Sequence, residues 1–129
     1  MVYNNVVVGA GNFGITVNVR PTPLATDIVN QGFVGGTTIV NNTFVNATAG
    51  AITEYVNAAK GNVFYNNLIV GGNVTTWNQL QSGTDWMVAN NLVFATATAA
   101  GFVDAANKDF HLAAGSSALG LGRDVSTYG

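Results

Sequence analysis

The sequence predicts an all-β solenoid, and three observations carry that expectation. A short motif recurs four times, its last three copies fall at near-constant spacing, and its columns separate into constant and variable positions. The motif is an apolar residue, a variable residue, two asparagines and an apolar-rich trio. It reads Val2-Tyr3-Asn4-Asn5-Val6-Val7-Val8, Ile39-Val40-Asn41-Asn42-Thr43-Phe44-Val45, Phe64-Tyr65-Asn66-Asn67-Leu68-Ile69-Val70 and Val88-Ala89-Asn90-Asn91-Leu92-Val93-Phe94. The last three copies start 25 and 24 residues apart, a period that marks one supersecondary unit stacked on the next.

Each copy is rich in β-branched and aromatic residues and too short for a helix, so its two halves read as short strands joined by a bend. Asparagine enters the left-handed backbone region more readily than other residues with a β-carbon. One Asn of each pair is therefore expected to turn the chain. The other is expected to stack its amide on its equivalents at the roughly 4.8 Å spacing of paired strands. The ladder candidates are Asn4, Asn5, Asn41, Asn42, Asn66, Asn67, Asn90 and Asn91.

Two residues before each pair stand Val2, Ile39, Phe64 and Val88, expected to point inward, as are Val7, Phe44, Ile69 and Val93 in the following strand. The varied column Tyr3, Val40, Tyr65 and Ala89 reads as the outside. The first interval between pairs is 37 residues, and its extra length reads as a loop through Gly9–Gly14, Arg20 and Pro21–Pro23, with a return strand at Ile28–Val34. Ala51–Asn57 and Asn73–Asn78 read as third strands of their repeats. Ala95–Ala100 reads as a featureless link to a closing segment that covers the C-terminal end of the core.

These residues resemble the right-handed parallel β-helix proteins of the pectate-lyase-like class, whose repeats carry an aliphatic-x-Asn-Asn-x-aliphatic signature. The resemblance covers residues 37–122. The closing segment, about 101–122, strengthens it: Gly101-Phe102-Val103-Asp104, then Asp109-Phe110-His111-Leu112 and a turn through Gly115–Ala118 resemble the end of many bacterial secreted members. Ser117 departs from the usual proline, and Gly120 from a usual acidic residue. The resemblance implies a right-handed parallel β-helix of about four to five coils and a sugar polymer as partner. It implies an extracellular or cell-surface location, and it identifies no catalytic residue.

The 129 residues suit a single domain, 1–129, with a slender core. Only 8% of residues are charged, the net charge is −2, and 17 residues are Asn. The basic residues Arg20, Lys60, Lys108 and Arg123 are dispersed, which argues against nucleic-acid binding. With no cysteine, neither disulfides nor thiolate metal sites arise. No run approaches the roughly 18 apolar residues of a membrane span. No signal peptide is visible before the first repeat, and a start in mid-pattern reads as a fragment of a longer chain.

Catalytic residues stay unknown at this level. A lyase needs a base and a group that neutralises the sugar carboxylate, for which Lys60 and Arg20 are available. A hydrolase needs paired carboxylates, and Glu54 and Asp85 differ in position within the repeat. His111 is the only histidine and anchors no transition metal alone, and no dense acidic cluster offers calcium its oxygens, so no metal and no cofactor is expected. Tyr55 and Trp77 occupy comparable third strands and form a candidate sugar-stacking strip, with Lys60 as a third substrate-binding candidate. Two functions follow: a carbohydrate-binding module or remnant of a polysaccharide lyase-like enzyme, or a structural, adhesin-like repeat that assembles without catalysis. Open strand edges predict a homo-oligomer, a dimer through the N-terminal end.

Overall fold

The computed structural model describes residues 1–17, 37–54, 61–71, 78–79 and 86–128. Each copy of the motif opens a tier of short strands. The first tier holds β1 (Val2–Tyr3), β2 (Val6–Val8) and β3 (Phe13–Val17); the second holds β4 (Thr38–Val40), β5 (Thr43–Val45) and β6 (Gly50–Glu54). The third holds β7 (Asn62–Tyr65), β8 (Leu68–Val70) and β9 (Asn78–Gln79), and the fourth β10 (Trp86–Ala89) and β11 (Leu92–Phe94). Strands of like position pair in parallel, giving the sheets β1-β4-β7-β10, β2-β5-β8-β11 and β3-β6-β9. The fold is all-β with parallel stacked sheets, a β-helix-like arrangement.

The register reproduces the sequence columns. Val2 pairs with Ile39, Ile39 with Phe64 and Phe64 with Val88; Val7 pairs with Phe44, Phe44 with Ile69 and Ile69 with Val93. Ile39, Phe44, Ile52, Phe64 and Ile69 form the interior with Ala51, and Val2, Val7, Ile15 and Trp86 pack against them. Burying each large apolar side chain stabilises by about 1.5–3 kcal/mol over leaving it exposed. The columns run out at the fourth tier, where Val88 and Val93 are 38% and 37% exposed.

Among the described residues two bends recur along the stack, and both favour a left-handed residue. At the first stand Asn4, Asn41, Asn66 and Asn90, with φ between 53° and 55°. At the second, after β2, β5 and β8, stand Gly9, Asn46 and Gly71 at φ 64°, 55° and 70°. The fourth tier has Ala95 at the matching place. Alanine disfavours that conformation, and there the chain leaves the pattern to enter α1 (Ala97–Ala100), capped by Thr96 Oγ1 and ended by Gly101 at φ 70°.

The second asparagine of each pair builds a continuous hydrogen-bonded column. The backbone N–H and side-chain Nδ2 of Asn5 both donate to Asn42 Oδ1, at 3.0 and 3.1 Å. Asn42 donates in the same way to Asn67 Oδ1 at 3.0 and 3.1 Å, and Asn67 to Asn91 Oδ1 at 2.9 and 2.8 Å. The amides also reach strand carbonyls: Asn42 donates to Val2 and Val40, Asn67 to Ile39, and Asn91 to Phe64. Asn42 and Asn67 are each 1% exposed, a burial that an amide tolerates only when its donors and acceptor are paired.

The closing segment covers a flank of the stack rather than its end, which corrects the expectation of an end cap. β12 (Phe102–Asp104) and β13 (Asp109–Leu112) form an antiparallel hairpin. Phe102, Phe110 and Leu112 pack with Ala100 and Ala118 over Val45, Leu68 and Val70, on the outer face of the second sheet. Ser116 Oγ ties the turn beyond β13 to Ala100 O at 2.7 Å. The chain then crosses the outer face of the first sheet, where Val125 packs on Val40, Val63 and Tyr65. The column read as the outside is therefore buried in its middle tiers, Val40 and Tyr65 included, while Tyr3 stays exposed.

The stretch Gly9–Gly14, read as part of a loop, feeds β3 instead, whose Ile15 pairs with Ile52. Gly14 sits so close to Phe44 that an added β-carbon would come within 2.5 Å of its ring. The expected return strand at Ile28–Val34 lies outside the described residues.

Asn67→Ala removes the acceptor for two buried Asn42 donors and is expected to destabilise by roughly 1–3 kcal/mol, measured by denaturant unfolding. Asn41 has a different job, and its two variants should part company. Asn41→Gly should melt within a few tenths of a kcal/mol of the parent, whereas Asn41→Val should lose about 1–2 kcal/mol to left-handed strain.

Candidate functional site

The hairpin of the closing segment stops short of the first tier. Val6 and Val8, which pair with Thr43 and Val45 beneath the hairpin's neighbourhood, remain 52% and 47% exposed. They floor an open groove of about 570 Å³ whose other wall is Asn107, Lys108, Asp109, Phe110 and His111. Apolar groups face it from both sides, with an amide, an ammonium, a carboxylate and an imidazole at the rim.

Local hydrogen bonds shape that rim. Asp104 caps the 3-10 turn Ala105–Asn107, accepting from the Asn107 backbone at 3.2 Å and from its side chain at 2.7 Å. Lys108 follows in the left-handed region at φ 65° and turns the chain into β13. Asp109 Oδ1 then accepts the His111 backbone N–H at 3.1 Å and lies 2.6 Å from His111 Nδ1. His111 is largely solvent-exposed, so its ring is held by one carboxylate and is free to meet a ligand.

The carboxylates are held ionised. Hydrogen bonds from the Asn107 side chain and backbone keep Asp104 below its ordinary range, and those from the His111 side chain and backbone do the same for Asp109. Asp124 is lowered by the Ser126 backbone and hydroxyl. Asp104 and Asp109 face each other across the hairpin, but a hydrolase needs one carboxyl kept protonated as general acid. No cluster of three or more metal-ligating side chains occurs among the described residues.

A second, smaller groove of about 230 Å³ follows the Asn-Asn bends beneath Phe110, Leu112, Ala118 and Gly122. The outgoing chain crosses it. Asn66 Nδ2 donates to Arg123 O at 2.8 Å, Asn66 Oδ1 accepts Arg123 N–H at 3.0 Å, and the Arg123 guanidinium lies 4.7 Å from the Tyr65 ring centroid. The turning residues Asn66 and Asn90 thus anchor the outgoing chain, while Asn5, Asn42, Asn67 and Asn91 hold the tiers together.

The sequence candidates Tyr55, Lys60 and Trp77 lie outside the described residues, as do Arg20 and Asp85. Lys108, Asp109 and His111 were visible in the sequence as parts of the closing segment. Their meeting with Val6 and Val8 was not, since about a hundred residues separate the two walls. No family model, curated protein or solved structure matches the chain.

The pH response follows from the lowered carboxylates. Their folded values lie below the unfolded ones, so the stability they contribute is present above the unfolded value and is lost as pH falls through the folded one. Melting temperature is expected to hold from neutral pH to about pH 5 and to fall below about pH 4. In Asp109→Asn that fall should be shallower; an identical profile would show that this carboxylate carries none of it.

Proposed function

We propose that the chain is a right-handed parallel β-helix module of the pectate-lyase-like class that binds a polysaccharide outside the cell, a lyase-like scaffold without a working catalytic set. The observation that carries this reading is the open groove over Val6 and Val8. Sugar rings present apolar C–H faces and a fringe of hydroxyls. Val6, Val8 and Phe110 offer the apolar floor, and Asn107, Lys108, Asp109 and His111 offer donors and acceptors around it. The repeat signature and the closing segment supply the family resemblance.

A second reading is a structural, adhesin-like module that self-associates. It draws on the fourth tier, where Val88 and Val93 stand exposed in columns that are buried one tier earlier.

Retention of the chain in gels cast with neutral and acidic polysaccharides tests the first reading. Lys108→Asn keeps a residue tolerant of left-handed backbone while removing the charge, and His111→Ala removes the ring. Each should weaken binding by about tenfold, the equivalent of ~1.4 kcal/mol, with melting unchanged in Lys108→Asn and slightly lowered in His111→Ala, which also loses the hydrogen bond to Asp109. Retention lost in Trp77→Ala but kept in these two would move the site to the third strands with Tyr55 and Lys60. Absence of retention by every polymer would reject polysaccharide binding.

A further inference from the structure

We infer that Asp109 fixes the His111 ring with its proton on Nδ1, so that the groove over Val6 and Val8 presents the bare Nε2 as a hydrogen-bond acceptor and takes an uncharged polysaccharide through its hydroxyl groups. The inference rests on the polysaccharide-binding reading above and adds the class of polymer and the residue that sets it.

The geometry at β13 assigns the ring proton. Asp109 Oδ1 lies 2.6 Å from His111 Nδ1 and accepts the His111 backbone N–H at 3.1 Å, so one oxygen holds both the ring and the chain that carries it. An ionised carboxylate has no hydrogen to give. Asp109 is kept ionised by the hydrogen bond from the His111 side chain first and by the His111 backbone second. The hydrogen in the 2.6 Å contact therefore belongs to the ring. In a neutral imidazole one nitrogen donates and the other accepts, and the partner of the first decides which is which. With Nδ1 donating to Asp109, Nε2 carries the lone pair, and the His111 side chain is 90% exposed beside the groove.

The rest of the rim completes a set that suits hydroxyls. Lys108 lines the same groove and brings donors only. A hydroxyl both donates and accepts, so two neighbouring sugar hydroxyls satisfy this rim in one sense, the first donating to Nε2 and the second accepting from Lys108. A sugar carboxylate only accepts, and it would meet Nε2 lone pair to lone pair. Charge argues in the same direction. Among the described residues the charged groups lining the groove are Lys108 and Asp109, with Asp104 opposite Asp109 across the hairpin. Both carboxylates are held ionised by local hydrogen bonds. Two negative charges against one ammonium offer no net attraction to a polyanion, and the whole chain carries −2. The apolar floor of Val6, Val8 and Phe110 needs no charge on the ligand, only the C–H face of a sugar ring.

Long-range nitrogen–proton NMR of the full chain at about pH 8, above the ordinary imidazole range, reads the tautomer without any polysaccharide. The single histidine gives one pair of ring nitrogens to assign. The expected spectrum has the proton on Nδ1. Asp109→Asn brings an amide that can donate to the ring as well as accept from it, and should move the proton toward Nε2. A parent ring protonated on Nε2 would overturn the inference, whatever the variant does. Gel retention at the same pH reads the polymer class. Neutral polymers should retain the chain and polyuronates should not, at low and high salt alike. Asp109→Asn should lose about fivefold in retention by neutral gels, roughly the worth of one hydrogen bond, with its circular dichroism unchanged. Retention by polyuronates alone, weakening as salt rises, would overturn the uncharged ligand and leave polysaccharide binding in place. Retention by no polymer would reject polysaccharide binding itself and the ligand class with it.

Discussion

A buried primary amide has two hydrogens and an acceptor to satisfy, and in a stack of parallel strands its best partner is an identical amide one tier away. Asn42 and Asn67 meet that demand in both directions, receiving from one neighbour and donating to the other. Most of the structure follows from the same requirement. The amides align only if successive tiers keep the same register, and that register stacks Phe64 on Ile39 and Ile69 on Phe44. The preceding asparagine must take the left-handed turn that brings the amide inward. Polar satisfaction and core packing are thus one constraint, since a slip by one residue would both unpair the column and turn the apolar columns outward.

The repeat made part of this legible in the sequence. The Asn pairs, the inward columns and the all-β class can be read from four aligned segments, because every tier repeats the same local problem. A second bend column, Gly9, Asn46 and Gly71, was equally present but hidden by its mixture of residue types, which share only tolerance of positive φ. The Gly-rich approach to β3 masked that strand for the same reason. The docking of the closing segment had no periodic signature at all. Its apolar residues fit either an end cap or a flank, and the choice rests on where Val45, Leu68 and Val70 need cover.

The candidate site shows how far local reading extends. The caps made by Asp104 and the pairing of Asp109 with His111 join near neighbours in sequence and follow from turn chemistry. The groove itself depends on the hairpin ending one tier early, and no short-range pattern encodes that. The candidates Tyr55 and Trp77 came from equivalence of repeat positions and Lys60 from its charge, whereas Lys108 and His111 come from a departure from the repeat. In this stack the scaffold is written in what recurs, and the candidate groove lies where recurrence stops.

Hydrogen exchange of the side-chain amides by NMR tests the asparagine column most directly. The Nδ2 hydrogens of Asn42 and Asn67 should exchange far more slowly than those of the turning residue Asn41, in parallel with the core backbone amides around them. Equally fast exchange for all three would mean that the amides are open to water and that the tiers are held by strand pairing and apolar packing without the column.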